Sequence, residues 1–202
     1  SPSPAAQRID INYASRFLAP RPHSSHKGDY GHVVIVGGNY GYGGAALMAA
    51  EAAQRSGAGL VSVITRSAHR PAFLGRFPEI MMFGTEDEDA PVDELLARAS
   101  VIVIGPGLGR SEWSRTLLQL ALSKQVSAGI PLVVDADGLN LLSERSESGV
   151  AIKRDNWILT PHAGEAARLL GSTVADVQAD RFAAVTELYN RWGGCCLLKG
   201  SG

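Results

Sequence analysis

The chain has 202 residues, of which 45% are hydrophobic and 19% are charged, a composition that suits one soluble domain with its own core. Its formal net charge of −1 gives no basic field that would argue for a nucleic-acid partner. No apolar run approaches the roughly 20 residues of a membrane-spanning helix, so the sequence predicts no membrane partner.

Residues 1–25 lack a regular hydrophobic pattern and predict an irregular lead-in or interdomain linker, followed by one domain over residues 26–202. The predicted strands are His32–Val36, Leu60–Thr65, Ile80–Phe83, Val101–Ile104, Leu132–Val134, Trp157–Leu159 and Cys195–Leu198. The predicted helices are Gly44–Ser56, Val92–Ala99, Ser111–Ser127, Leu139–Glu144, Gly164–Leu170 and Val174–Trp192. This alternation indicates an α/β fold with a mostly parallel central sheet flanked by helices. The acidic stretch Thr85–Asp93 predicts an exposed loop.

Two predicted strands end in glycine-rich turns. The β-branched run Val101–Ile104 is followed by G-P-G-L-G, and His32–Val36 is followed by G-G-N-Y-G-Y-G-G. Glycine lets a ligand approach the backbone, and ligands of open α/β sheets bind at the carboxyl ends of strands. The turns therefore predict a site for a phosphorylated or dinucleotide ligand. The sequence contains neither the G-x-x-x-x-G-K-[ST] phosphate loop nor the G-x-S-x-G nucleophile elbow.

Polar residues follow the next two predicted strands. Asp135, Asp137 and Asn140 lie just past Leu132–Val134, where a carboxylate can hold Mg²⁺ through water or orient a hydroxyl group. The alternative for Asp137 is helix capping.

In T-P-H-A-G-E, Pro161 ends the strand and places His162 at the same predicted edge of the sheet. We interpret His162 as a functional residue. Glu165 is either a site residue or a favourable charge in the first turn of a helix.

The last predicted strand leads into K-G-S-G at Lys199–Gly202. A lysine beside free backbone amides suits a phosphate group, although a lysine after a strand is commonly just solvated. The adjacent Cys195 and Cys196 point to opposite faces of a strand and do not form an ordinary disulfide. We therefore predict that both are small side chains buried in the core as filler between larger ones. Free thiols also indicate a reducing compartment, and hence a cytoplasmic protein. His23 and His26 predict a solvated loop, and no metal ligand is assigned.

The order of these motifs is more specific than any one of them. The series H-K-G-D-Y-G-H-V-V-I-V-G-G, G-G-A-A, R-S-G-A-G-L-V, V-I-G-P-G-L-G, D-A-D-G-L-N, T-P-H-A-G-E-A-A-R-L-L-G and L-K-G-S-G resembles the ADP- or ATP-dependent NAD(P)H-hydrate dehydratases. The resemblance runs from about His26 to Gly202. It implies a ribokinase-like fold and the repair of hydrated NADH and NADPH (NADHX and NADPHX). It also implies ADP or ATP as the nucleotide, with Mg²⁺ as its counter-ion.

Site residues follow from the resemblance position by position. Those matching contacts to the hydrated dinucleotide are Ala45, Gly107 and His162. Those matching the start of the nucleotide-binding segment are Lys199, Gly200, Ser201 and Gly202. Those at motif positions without an assigned role are Asp135, Asp137, Asn140 and Glu165. The segment T-P-H-A-G-E is also similar to the T-P-N-x-x-E of related small-molecule kinases, with His162 in place of asparagine.

The family continues past its lysine-glycine motif with a G-x-G-D-type turn, whose aspartate is the expected general base. Because the sequence ends at Gly202, we expect a fragment that is truncated at the C-terminus, without this base and with apolar sheet surface exposed. We further expect a homo-oligomer, and a full-length protein fused to an NAD(P)H-hydrate epimerase domain. The alternatives are an ATP-dependent vitamin-precursor kinase of the same fold or, for the fragment, a non-catalytic nucleotide-binding module.

Overall fold

The computed structural model describes residues 6–17, 20–147 and 152–200, and within them seven strands form one sheet in which all neighbours are parallel. The strands are β1 His32–Val36, β2 Leu60–Thr65, β3 Met81–Gly84, β4 Val101–Ile104, β5 Leu132–Val134, β6 Trp157–Leu159 and β7 Cys195–Cys196. Their spatial order is β3-β2-β1-β4-β5-β6-β7. The predicted α/β fold with a parallel sheet is confirmed, and five of the seven strands have the predicted bounds.

Helices flank the sheet on both faces. They are α1 Ile11–Ser15, α2 Gly43–Arg55, α3 Arg70–Arg76, α4 Val92–Arg98, α5 Glu112–Ala128, α6 Asp137–Glu147, α7 Ala163–Leu170, α8 Val174–Ala179 and α9 Arg181–Trp192. The sequence did not predict α1, inside the proposed lead-in, or α3, which begins with a proline near its N-terminus.

The prediction of one helix over Val174–Trp192 is wrong, because the chain leaves helical geometry at Asp180. Its φ is −144° and its side chain accepts a hydrogen bond from the Ala183 N–H at 2.9 Å. Asp180 therefore caps α9 and separates that helix from α8.

The two faces of the sheet are covered to different extents. On the first face, side chains from α4 to α9 bury Val34, Ile104, Val134 and Leu159, each of which is fully buried. On the second face, α2 and α3 cover the sheet over β1–β3, with Ile35 at the centre.

One row of paired residues crosses the second face: Ile35, Val103, Val133, Ile158 and Cys195. Burial declines along this row, from fully buried Ile35 to Ile158, which is 42% exposed. Exposed sheet surface is thus observed over β6 and β7, at Ile158 and Cys195.

The prediction that both cysteines are buried filler is wrong for Cys195, which is exposed on this open face, while Cys196 is half-buried. Burial, and then the neighbouring Cys195, raise the pKa of Cys196 to about 11. Among the described residues, no helix combines the length and apolarity needed to cross a membrane.

Candidate functional site

The glycine turns after β1 and β4 lie side by side, at the point where the strand order reverses. The Gly38 N–H donates to the Pro106 carbonyl at 2.9 Å, and the Asn39 N–H donates to the Gly107 carbonyl at 2.7 Å. A Cβ at Gly37 would lie 2.2 Å from the Pro106 oxygen. Part of the glycine pattern thus serves the packing of one turn on the other, and the crevice lies where open α/β sheets bind ligands.

Ala45 and Gly107 meet in this crevice. Ala45 is the third residue of α2 and is half-buried. A Cβ at Gly107 would lie 3.1 Å from the Ala45 Cβ and 2.6 Å from the Tyr42 carbonyl oxygen, and the φ of Gly107 is +60°. Small residues at both positions leave the N-terminal turn of α2 open, and this helix end favours negative groups.

Asp137 and Asn140 connect elements around the crevice. Asp137 opens α6, and its carboxylate accepts from the Gly109 N–H at 2.8 Å and from the Asn140 amide at 3.3 Å. Arg168 on α7 donates to the Asn140 side-chain oxygen at 2.8 Å. The contacts of Asp137 therefore tie α6 to the β4 turn.

Asp135 and Lys199 form an ion pair across the ends of β5, β6 and β7. The Lys199 Nζ lies 2.5 Å from Asp135 Oδ1, which also accepts from the Thr160 hydroxyl at 2.9 Å. The carboxylate of Glu165, almost fully buried, lies 4.0 Å from the same Nζ. The Lys199 N–H donates to the Pro161 carbonyl at 2.8 Å. One cation and two carboxylates thus converge where the sequence places a phosphate site.

His162 is the N-cap of α7. Its Nδ1 accepts from the N–H groups of Gly164 at 2.9 Å and Glu165 at 3.3 Å, while Glu165 accepts from the His162 N–H at 2.9 Å. Because Nδ1 is an acceptor, the neutral ring carries its proton on Nε2, 3.3 Å from the Glu165 carboxylate. The ring caps α7 at the position where the kinase motif has asparagine, a strong N-cap residue, and its side chain stays 55% exposed. Glu165 lies in the first turn of α7.

Arg181 lies beside the predicted nucleotide segment, and the sequence did not identify it because it falls inside the helix predicted as continuous. Its guanidinium donates to the carbonyls of Leu198 at 3.1 Å and Lys199 at 3.2 Å. A Cβ at Gly200 would lie 2.6 Å from Arg181 Nη2. Ser201 and Gly202 are outside the described residues.

A second cluster that the sequence did not identify surrounds Arg66 at the end of β2. The guanidinium lies over the rings of Trp113, 4.0 Å from its centroid, and Tyr40, 4.6 Å from its centroid. It donates to Glu86 at 2.7 Å and to the Asn39 side-chain oxygen at 3.0 Å. No local motif marks this cluster, because its members come from four separate parts of the chain.

The carboxylate of Glu86 stays charged in this cluster. Burial by itself would raise its pKa, but hydrogen bonds from the Ser67 N–H, from Arg66 and from the Ser67 hydroxyl outweigh it and lower the pKa to about 2. The pair with Arg66 therefore persists at neutral pH.

Within the described parts of the chain, no three His, Cys, Asp or Glu side chains are grouped so that they could hold a metal ion. His26 instead caps the short turn at Lys27–Tyr30, with its Nδ1 accepting from the Gly28 N–H at 3.1 Å.

Comparison with known proteins identifies relatives of this chain. It is 49% identical over 185 residues to the bifunctional NAD(P)H-hydrate repair enzyme of Coxiella burnetii, covering 92% of this chain and 36% of that enzyme. A solved ribokinase-like superfamily protein from Enterococcus faecalis superposes with a TM-score of 0.79 at 31% identity, over 90% of this chain and 61% of that one.

A third relative is the ADP/ATP-dependent NAD(P)H-hydrate dehydratase of Bacillus subtilis, co-crystallized with ATP/Mg²⁺. Its TM-score is 0.71 at 28% identity, and the match covers 94% of this chain and 65% of that one. The chain therefore spans between about one third and two thirds of these relatives. The model of the NAD(P)H-hydrate dehydratase family matches residues 33–202, and the chain belongs to that family, with its ribokinase-like fold.

Proposed function

We propose that the complete protein dehydrates NADHX and NADPHX back to NADH and NADPH, using ADP or ATP with Mg²⁺. The observation that carries this proposal is the grouping of Lys199 with Asp135 and Glu165 on the same rim as the Ala45–Gly107 crevice. β4 and β7 are three strand positions apart, about 14 Å at the usual strand spacing. The rim therefore has room for a dinucleotide and a nucleotide side by side.

Phosphorylation makes the dehydration feasible. Transfer of the terminal phosphoryl group of ADP or ATP to the hydroxyl of the hydrated nicotinamide ring breaks the O–P bond to the nucleotide and forms an O–P bond to the ring oxygen. AMP or ADP is released, the hydroxyl proton passes to the general base, and the leaving group changes from hydroxide, a poor one, to phosphate. Cleavage of the C–O bond then releases phosphate, and loss of a ring proton restores the double bond. The protein contributes the positioning of both ligands and the stabilisation of phosphoryl charge.

Different residues of this chain bind the dinucleotide and the nucleotide. Ala45 and Gly107 leave space for the dinucleotide, and the Nε2 proton of His162 is oriented by its cap before a ligand binds. Asp135 holds the Lys199 ammonium at the rim, where it faces the phosphates of a nucleotide.

Mg²⁺ is commonly held through one or two carboxylates together with phosphate oxygens, and Asp135 and Glu165 would hold it here once Lys199 has turned from them to the phosphates of a nucleotide. When bound there, Mg²⁺ would offset the phosphoryl charge. We assign the general base to the family segment that follows the lysine-glycine motif.

The vitamin-precursor kinase is disfavoured, because the chain belongs to the dehydratase family. The match to 36% of a bifunctional repair enzyme supports a second domain in the full-length protein, and we propose that it is the NAD(P)H-hydrate epimerase.

The decisive experiment is the turnover of chemically hydrated NADH by the full-length protein, followed by the return of NADH absorbance. We expect turnover that requires ADP or ATP and Mg²⁺ and that falls about 100-fold or more in Lys199→Ala, as when a charge-stabilising donor is removed. Lys124→Ala is the matched control, because Lys124 pairs with Asp93 on the surface away from the rim. Absence of any nucleotide-dependent loss of the hydrate would refute the proposal.

A further inference from the structure

We propose that the ring of Tyr40 is a stacking platform for the adenine of the dinucleotide. This inference rests on the proposed function, because it assigns one part of that substrate to a surface for which the family resemblance gives no role.

The Tyr40 ring is both exposed and held in place. Tyr40 is 59% exposed, while the Arg66 guanidinium lies over its ring. Arg66 is itself fixed, since its side chain is only 14% exposed and it contacts Trp113, Glu86 and Asn39. A ring that is already ordered loses little conformational entropy when a ligand stacks on its free face.

The platform adjoins the crevice. Asn39, the residue before Tyr40, donates its N–H to the Gly107 carbonyl and accepts from Arg66 with its side chain. Tyr40 is thus connected through one residue to the position that matches substrate contacts in the family. A ligand group leaving the crevice on the β1 side meets this ring.

Strand order favours the dinucleotide over the nucleotide as the occupant. Tyr40 follows β1 and Lys199 follows β7, four strand positions away, or about 19 Å. A nucleotide with its phosphates at Lys199 occupies the opposite end of the rim. The longer ligand, which starts in the crevice between them, extends toward Tyr40.

The chemistry of the substrate indicates which of its rings stacks. Addition of water makes two carbons of the nicotinamide ring tetrahedral, so that ring is no longer flat. Adenine keeps a planar π-face, and flat π-faces are what tyrosine rings stack on. The hydrated ring then lies in the crevice with its hydroxyl toward the nucleotide.

The test compares Tyr40→Ala and Tyr40→Phe in the full-length protein. Tyr40→Ala should raise the KM for NADHX about tenfold, in line with the loss of one base–aromatic stack, and leave the KM for ADP unchanged. Tyr40→Phe keeps the π-face and should behave as wild type. Tyr189→Ala, which removes an exposed tyrosine from α9, controls for the loss of a surface ring.

A truncated substrate sharpens the assignment. The hydrate of the reduced nicotinamide mononucleotide lacks adenine, so Tyr40→Ala should not change its KM. An unchanged KM for NADHX in Tyr40→Ala would overturn the proposal, as would a raised KM for ADP alone. Calorimetric titration of NADHX without nucleotide gives the same comparison independently of turnover. A wild-type protein that binds NADHX without dehydrating it would contradict the proposed function but still test the platform.

Discussion

On the second face of the sheet, the side chains of β1–β4 pack beneath α2 and α3, whereas those of β6 and β7 are exposed. Ile35 and Ile158 lie in the same row, yet the first is fully buried and the second is 42% exposed. Leu197, beyond β7, is 57% exposed. The end of the sheet that carries Ala45 is covered on this face, and the end that carries Lys199 presents an apolar face with nothing described on it.

The strand ends are also joined more firmly at the covered end of the sheet than at the open end. The turns after β1 and β4 are joined by backbone hydrogen bonds that no side-chain movement can break. The ends of β5 and β7 are joined by Asp135 and Lys199, whose side chains are 32% and 40% exposed, and partly exposed ion pairs contribute little to stability. We therefore expect the dinucleotide crevice to be preformed and the nucleotide site to depend on further protein packed over β5–β7.

The largest effect should appear when residues 1–202 are compared with the full-length protein. We expect the isolated 202-residue polypeptide to show no dehydration of NADHX and little thermal shift with ADP or ATP. For the full-length protein, nucleotide at a hundred times its Kd should stabilise the fold by about 2.7 kcal/mol. Clear turnover by a polypeptide confirmed by mass to end at residue 202 would break the comparison, and would make Asp135 or Asp137 the first candidates for the base.

Matched truncations within one row of the sheet test the difference in burial directly. In the 202-residue polypeptide, Ile35→Ala should lower the free energy of unfolding by about 2–5 kcal/mol, the usual cost of a buried cavity. Ile158→Ala should cost well under half as much, because its side chain already contacts water.

The same pair of variants in the full-length protein completes the test. If further protein covers β6, the two truncations should converge, as measured by denaturant unfolding. A cost for Ile158→Ala that is equally small in both polypeptides would show that this face stays open.

Most of the fold follows from local signals. Runs such as Val101–Ile104 are β-branched and end at glycine, so the strand and its limits are encoded within a few residues. The break at Asp180 could have been recognised from the sequence, because an aspartate directly before an apolar-periodic segment is a common helix start. The segment H-A-G-E at 162–165 also has the spacing of a capping box, because a glutamate follows His162 by three residues, and this spacing indicates a helix that starts at His162.

The parts of the site that could not be predicted depend on distant contacts. Arg66 and Glu86 lie just after β2 and β3, and Trp113 is the second residue of α5. These residues meet only when the two strands pair and α5 packs on the sheet, and no periodicity encodes that meeting. The openness of the face over β6 and β7 is equally nonlocal, since Ile35 and Ile158 have the same side chain and both have apolar neighbours in their strands. What differs is which helices cross above them.

Two substitutions at His162, on the rim beside the open end of the sheet, distinguish its capping of α7 from a contact with the substrate. Asparagine is a strong N-cap, so His162→Asn should leave the melting temperature nearly unchanged, while His162→Ala should lower stability by about 1 kcal/mol. If the imidazole contacts the substrate, both variants should reduce dehydratase turnover to a similar extent in the full-length protein. Normal turnover in His162→Asn would show that the ring serves only α7.

The smallest effect concerns the acid stability of the better-packed half. The pKa of Glu86 is about 2 in the fold, below its ordinary value, so its contribution to stability is present above the ordinary value of 4.5 and declines as the pH falls toward 2. Glu86→Gln should therefore lower the melting temperature slightly at pH 7, and its difference from wild type should shrink as the pH falls through that window. Because the Glu86 side chain is 37% exposed, solvent screening keeps the change small.

Glu79→Gln, at an exposed position after α3, should show no such convergence. A difference that persists undiminished at the acid end would mean that the Glu86 carboxylate does not anchor Arg66 through its charge, and that the rim beside β1 is held by packing on Trp113 instead.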